Sequence, residues 1–480
     1  MDFEKRARRQ SLRVIISETI MVFTIIIMVS VLAFVVSGYW LNANFEVERQ
    51  GMLQISSVPT GANVSVDGDS SWLQRTNTSK VLSSGAHQII LTKDGYDSWS
   101  KTVDIKEGLL YRIQYPRLFL TEREKSTVYN ATSATFATVS KEHNFMLLAN
   151  NTTHWALLNL ENDKLDPSTI DISSLTTFAE VPDDATVGTF TGTILSADWS
   201  GDNNHVLLKI QQGSKIEWLL LDVKTMKNSI NLTKEFAADF TKIQIFDHSA
   251  SNLLAIRSGN LHKIDVSGRQ VSAILAENVK SFATYDQEIA IVTSSYIGTL
   301  KIGDQAPKVF RYFSGAKLPS GTEIDDAQVL HASPSAAWVF LSRFYENKNL
   351  ILVTENAISV YNRDDDSLTL QEPLTITPEA VTVGAAGDFV FVKSGSSVAT
   401  LDFESASLTE WSLGSTYFDW LDAHMLYNVA SGALSVYDYD GLNHRTLASG
   451  ASERFPVTIT NNKWLYYFQD GSLIREIITQ

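Results

Sequence analysis

At 480 residues, the chain is longer than one ordinary domain, and 39 Lys and Arg against 54 Asp and Glu leave a net charge of −15. The first thirteen residues are locally basic, so the acidity lies in the remainder, which argues against nucleic acid and against an electrostatic hold on anionic lipid. Cysteine is absent, which excludes disulfides, thiolate metal sites and Cys nucleophiles and leaves stability to a large apolar core.

The first element in chain order is an apolar stretch, residues 14–40. From Thr19 to Val36 no charge interrupts a run dominated by Ile, Val, Phe, Met and Leu. At 1.5 Å per helical residue such a run suits a hydrocarbon core of about 30 Å, so 14–40 is expected to be a transmembrane signal anchor in the lipid bilayer. A cleaved signal peptide is the alternative. The run is longer than an h-region of about 7–15 residues, however, and Ser37-Gly38-Tyr39-Trp40 makes a poor small-residue cleavage site. Arg8, Arg9 and Arg13 precede the stretch, and Tyr39 and Trp40 follow it as an interfacial aromatic pair. The positive-inside rule then puts residues 1–13 in the cytoplasm as a basic tail and the C-terminal bulk outside the cell membrane, single-pass. Glu18 is read as an end-of-helix carboxylate that reaches the interface.

Residues 41–50 form a polar linker, after which the apolar pattern changes to period two. Met52 to Val58 alternates, Pro59-Thr60-Gly61-Ala62 punctuates, and Asn63 to Val66 resumes before an Asp67-Gly68 turn. Further strands are expected around Ile89, around Val103 and from Leu109 to Leu120, an all-β unit over 51–120. The order Pro59-Thr60-Gly61-Ala62, Asp67-Gly68, Gly85-Ala86-His87 and Lys93-Asp94-Gly95-Tyr96 resembles the PEGA domain. Thr60 stands where that family has Glu, and its small-residue and Pro segment is not evident around Trp72 to Thr78. The resemblance implies a small, non-catalytic β-sandwich of cell-surface and S-layer-associated proteins. His87 is expected to be a structural turn residue.

Residues 121–480 repeat a hairpin: a polar turn, an apolar run, a short turn and a second apolar run ending in Asp or Asn. The runs start at Phe145, Val206, Leu253, Ile289, Leu350, Phe389, Met425 and Trp464, mostly about 36 to 48 residues apart. That is the period of a four-stranded propeller blade. Larger gaps at Glu161–Val187 and Gly315–Ser335 are expected to be insertions. The turns Asp198-Trp199-Ser200-Gly201-Asp202 and Asp438-Tyr439-Asp440-Gly441 are similar to those of Tol-type and WD-repeat propellers. The last hairpin reaches Gln480, so a strand near Glu122–Tyr129 is expected to complete its blade and remove the open edge. A β-propeller of seven or eight blades, eight favoured, is expected; two β-sandwiches are the rival.

No Gly-x-Ser-x-Gly elbow, His-Glu-x-x-His pair or P-loop occurs. Asp364-Asp365-Asp366 and Asp438-Tyr439-Asp440-Gly441 are partial calcium patterns, read as solvated turns because a hard cation needs several converging oxygens. Tyr417, Phe418 and Trp420 are weighed as a glycan platform against a place in the blade core. No cofactor, metal or catalytic set is expected. The leading expectation is a non-enzymatic surface protein in which the anchor holds a PEGA-like spacer and a propeller that binds an envelope protein or glycan. The alternatives are an extracellular propeller hydrolase or lyase, which would need converging acids such as Asp198, Asp364 or Asp419, and an envelope sensor.

Overall fold

The computed structural model describes residues 18–33, 39–41, 47–162, 164–304, 307–313, 318, 323–330, 337–344, 347–384, 387–413 and 418–480. They belong to two compact units, Met1–Thr121 and Glu122–Gln480.

Residues 18–33 are helical, and their apolar side chains are open: Ile20, Phe23 and Met28 are 62%, 64% and 67% exposed. Thr24 returns its hydroxyl to the Ile20 carbonyl at 2.8 Å, so it offers no unmet donor along the rod. The rod is about 24 Å long at 1.5 Å per residue. Among the described residues no helix is long and apolar enough to cross a membrane. The stretch expected to span over 14–40 is corrected at its end, because Tyr39–Leu41 is a strand. Tyr39, Trp40 and Leu41 pair antiparallel with Arg49, Glu48 and Val47, so a neighbouring strand meets their backbone groups. Arg8, Arg9 and Arg13 lie outside the described residues.

The first unit continues as a two-layer sandwich. Its strands are β1 (Tyr39–Leu41), β2 (Val47–Ile55), β3 (Asn63–Val66), β4 (Asp69–Arg75), β5 (Thr78–Ser83), β6 (Gly85–Thr92), β7 (Trp99–Ile105) and β8 (Leu110–Ile113). One sheet runs β1-β2-β5 with β8 parallel to β2, and the other runs β4-β3-β6-β7. Alternation selects the inner faces: in β7, Trp99, Val103 and Ile105 are buried while Ser100, Thr102 and Asp104 are exposed. Part of the expected polar linker is strand, since β2 starts at Val47.

The second unit is built from consecutive antiparallel sheets. Strand β9 (Lys125–Asn130) is followed by a sheet of β10 (Ala134–Val139), β11 (Phe145–Asn150), β12 (His154–Asn159) and β13 (Ser168–Asp171). A small hairpin of β14 (Ala179–Glu180) and β15 (Thr189–Phe190) leads to a second sheet of β16 (Thr193–Trp199), β17 (His205–Gln212), β18 (Lys215–Asp222) and β19 (Ile230–Asn231). Further sheets occupy 240–271, 279–330, 337–373, 380–412, 418–448 and 458–477. The last takes β9 as its fourth strand, with Ser472 opposite Asn130 and Glu476 opposite Lys125. The strand expected near 122–129 therefore does the closing.

The apolar runs are continuous because each sheet is covered on both faces. In β11, Met146 and Leu148 pack with Tyr466 and Phe468 of the last sheet, whereas Leu147 and Ala149 pack with Val206 and Leu208 of the second. Similar clusters join the second sheet to the third, and so on to the seventh. The Val457 amide donates to the Tyr427 hydroxyl at 3.2 Å where the seventh sheet meets the last, and one cluster joins the last sheet to the first, so the array closes on itself, which a pair of separate sandwiches would not do. Polar contacts fasten the seam: the Tyr466 hydroxyl donates to the Leu160 carbonyl at 2.8 Å and Arg454 Nη2 to the Thr135 carbonyl at 2.7 Å. The unit is thus propeller-like.

The two expected insertions have different fates. Residues 161–187 contain β13, the outer strand of the first sheet, and β14 of the small hairpin. Within 315–335, Glu323–Leu330 adds a fifth strand parallel to Lys308–Phe313. First strands of several successive sheets neighbour one another: Ala134–Val139 lies beside Thr193–Trp199, which lies beside Phe240–Ile245, and Val279–Tyr285 lies beside Ala337–Phe344. In four of them an extra residue enters at the same place: Thr135, Leu195, Thr241 and Lys280. Such bulges bend a strand and re-aim side chains at a rim. They lie at the ring face where the first strands begin.

Candidate functional site

The sandwich motifs are brought together in two pairs. Asp67 (φ 53°) and Gly68 (φ 83°) form the two-residue loop between β3 and β4, with both residues in the left-handed region that a type I′ turn requires. Asp67 Oδ1 accepts the Gln88 amide at 2.8 Å, and Oδ2 lies 2.6 Å from His87 Nδ1. On the other side of the ring, His87 Nε2 is 2.9 Å from the Ser83 carbonyl, an atom that can only accept. Each imidazole nitrogen thus faces an acceptor, an arrangement that favours the protonated ring. Burial by itself pulls His87 down, but the bonds to Asp67 and Ser83 outweigh it and hold the imidazole above its ordinary value. The His87 hydrogen bond holds the Asp67 carboxyl below its ordinary value.

The second pair joins Pro59-Thr60-Gly61-Ala62 to Lys93-Asp94-Gly95-Tyr96. Lys93 Nζ donates to the Thr60 carbonyl at 2.8 Å and sits 5.9 Å from the Tyr96 ring centroid. The Tyr96 amide closes its turn on the Lys93 carbonyl, with Gly95 at φ 81°. Ala62 is fully buried, and its amide donates to Thr76 Oγ1. Gly85, at φ 122°, opens β6. These motif residues hold one another, and Tyr39 and Trp40 lie on β1 of the same sandwich.

The ring does not bring its candidate acids together. Asp198, on the second sheet, pairs with Lys141 at 3.3 Å, and Asp364, in a turn of the fifth, with Lys348 at 3.4 Å. Asp419 lies on the first strand of the seventh sheet, where burial pushes its carboxyl up. In the Asp364-Asp365-Asp366 turn, Asp365 accepts from Ser367 and Asp366 pairs with Lys308 at 3.0 Å, so the three carboxylates diverge. Asp438 Oδ2 accepts from Asn443 and Asp440 Oδ1 from the Leu442 amide. Among the described residues no group of three or more His, Asp or Glu side chains converges as metal ligands would. Of the aromatic platform, Phe418 is buried and Trp420 Nε1 donates to Thr382 Oγ1 at 3.1 Å, while Tyr417 lies outside the described residues.

What the ring does offer is a cavity of about 490 Å³ at the face carrying the bulges, between the second and third sheets. It arises where a strand stops early. β18 is eight residues long, yet β19 covers only Leu219 and Leu220. At Asn231 the chain turns into the short helix Leu232–Phe236, capped by Asn231 Oδ1 accepting from the Lys234 amide at 3.0 Å. Ala237 ends that helix in the left-handed conformation, and the chain returns towards the ring centre as Phe240–Ile245. The outer edge of β18 around Ile216 is left facing the cavity.

Phe178, Trp218 and Phe240 form an apolar floor, buried at the edges of the space, while Thr177, Ser214, Thr233 and Thr241 bring hydroxyls to its walls. Trp218 is fixed by Nε1 donating to the Phe240 carbonyl and by its amide donating to Thr233 Oγ1, both at 3.0 Å. Glu217, 5% exposed, is satisfied from the first sheet's connection: Thr176 Oγ1 donates at 2.6 Å, the Thr177 amide at 3.1 Å, and the Thr177 hydroxyl also donates. Lys215, Asp239 and Ile216 are exposed at the mouth. Size and lining suit a binding cleft, with apolar ground and a few placed polar groups. Hairpin periodicity is blind to this cavity; the one signal in the sequence is the helix start Asn231-Leu232-Thr233-Lys234-Glu235 where a fourth strand is due.

Sandwich and ring together define a class: an all-β protein with a propeller-like ring and no converging catalytic set among the described residues. More particularly, residues 50–117 match the family model described as the PEGA domain. No curated protein matches the chain in sequence. Among solved structures, the chain is similar to the computationally designed Ika8 protein at 11% identity, with a TM-score of 0.40 over 74% of this chain and 98% of that one. It is also similar to the Cps50 (Swd1) β-propeller domain of Myceliophteria thermophila at 9% identity, with a TM-score of 0.39 over 75% of this chain and 99% of that one. The ring architecture rests on the strand pairings and the closed seam, not on these likenesses.

Proposed function

We propose that the chain is a non-enzymatic, membrane-anchored surface protein whose PEGA-like sandwich is a spacer and whose eight-bladed propeller binds an envelope partner. The observation that carries the binding role is the cavity between the second and third sheets, which sits on the ring face formed by connecting loops. Its aromatic rings are only 2–5% exposed, enough to meet one small apolar side chain but not to stack a sugar ring, and this favours a protein over a glycan as the partner. Anchoring draws its support from residues 18–33, whose apolar side chains are exposed together on one helix ahead of two all-β units. Support for eight blades comes from the sheets between 134 and 477 and from the cluster that joins the last to the first.

The test has two arms. Protease added to intact cells should remove the sandwich and ring; complete protection would overturn the outward topology. In binding, Ser214→Trp places a large side chain at the cavity mouth from an exposed hairpin residue. Envelope protein retained by the immobilised full chain should be lost in that variant, and undiminished retention would place binding elsewhere.

A further inference from the structure

The cavity wall contains a strand edge whose backbone is unmatched. In an antiparallel strand, N–H and C=O of one residue point to the same side and alternate residues point to opposite sides. Two bonds fix this alternation in β18. The Trp218 amide donates outward to Thr233 Oγ1 at 3.0 Å, and the Asp222 amide outward to Ser229 Oγ at 2.9 Å. Even-numbered residues therefore face away from β17, and odd-numbered ones, including Lys215 and Glu217, face it. Ile216, opposite Gln211, presents its N–H and C=O outward, and among the described residues nothing bonds to either. β19 would meet them if it continued, but the Asn231-capped helix has already turned the chain away. Other third strands are covered further along. Ala357–Tyr361 is paired over its length by Leu368–Pro373, and Ser397–Asp402 by Ser407–Ser412.

We infer that this edge takes an extended polypeptide segment of the partner, which adds as a short strand beside Ile216. Backbone is the chemistry that meets an outward N–H and C=O of one residue at once, in register. The space beside the edge is the 490 Å³ cavity, wide enough for such a segment and floored by Phe178, Trp218 and Phe240. Side chains of an added strand alternate. One therefore points to the apolar floor while its neighbours point to the hydroxyls and to Lys215 and Asp239 at the mouth. Ile216 itself is 37% exposed, an apolar contact for the segment's adjacent side chain. This inference rests on the reading of the ring face as a binding face and names what it binds.

Amide hydrogen exchange on the full chain in detergent is the first measurement. The Ile216 amide should exchange freely while that of Glu217, bonded inward to β17, is protected. Slow exchange at Ile216 in the free chain would overturn the proposal. The second uses a library of short linear peptides with alternating apolar positions as the probe. Selected peptides should slow Ile216 exchange and bind about tenfold more weakly to Ile216→Pro, which removes one outward donor and no ladder bond, while Ile216→Val binds as the native chain does. Methylating the peptide nitrogen that faces the Ile216 carbonyl should weaken binding to the native chain equally, a readout independent of how the proline variant folds. If no peptide is enriched over the Ser214→Trp chain, the proposal falls. If peptides are lost with Ser214→Trp but ignore both Ile216→Pro and methylation, strand addition falls while the cavity stands as a binding site. If peptides obey the edge but envelope protein ignores Ser214→Trp, it is the proposed role of this face that fails.

Discussion

The seam between the last sheet and the first can be tested through Leu473. This side chain is fully buried in the cluster that includes Met146, Leu148, Leu158, Tyr466 and Phe468, drawn from both sheets. Leu473→Ala removes three carbons, worth about 2.4 kcal/mol at roughly 0.8 kcal/mol per buried methylene. The cavity left behind adds to this, so the expected loss is about 3–4 kcal/mol. That is a large part of the roughly 5–15 kcal/mol that holds an ordinary domain folded. Because the sheets form a closed ring, the loss should be felt by the ring as one cooperative unit. In an open array, nearest-neighbour terms let terminal sheets fray alone. Urea unfolding of the full chain in detergent, followed by Trp fluorescence, should show the ring's transition, as a single step, displaced to lower denaturant while that of the sandwich stays in place. Amide exchange should accelerate together in β9, β10 and the strand at Trp464–Gln469. The exposed Leu442, 48% accessible, serves as control, its alanine variant changing stability by less than about 0.5 kcal/mol. A loss below about 1 kcal/mol for Leu473→Ala, or loosening confined to β9, would refute the closed ring.

Other tests address the sandwich and the seam. His87 should titrate above 6.5 by NMR. The stability it contributes is full below 6.5 and is lost as pH rises through its raised value, while that of Asp67 is full above 3.8 and is lost as pH falls through its lowered value. A His87 that titrates at or below 6.5 would contradict the doubly bonded imidazole. At the seam, His143 Nδ1 lies 2.5 Å from Thr458 Oγ1, and burial pulls its imidazole below 6.5. The unfolded chain then binds the extra proton, so ring stability should fall as pH drops below 6.5, and a pH-independent urea midpoint between about 7 and 5 in a chain lacking the other titrations would refute this. Gly51→Ala would set a Cβ 2.4 Å from Ile105 Cγ2 and 2.5 Å from the Lys106 carbonyl oxygen. The sandwich should lose about 1–3 kcal/mol by thermal unfolding, and a neutral result would mean that the 105–109 turn gives way.

The sequence was most legible where local chemistry and burial coincide. An Asp67-Gly68 pair between alternating strands determines a type I′ hairpin, because few residue pairs accept two left-handed conformations in a row. The apolar runs at Met146–Ala149 and Val206–Leu208 likewise announced strands covered on both faces, and their spacing announced a repeat. Strands such as β4 and β5 carried no such signal, since they lie at sheet edges. The Tyr39-Trp40 pair read as the end of a helix, but strand pairing with β2 claimed its backbone. Tertiary structure alone decided that His87 meets Asp67, twenty positions away in the chain, and that the candidate acids stay apart on separate sheets. It alone opened the cavity at Ile216, because a missing strand is a property of what fails to pair, and pairing between distant segments has no local signature.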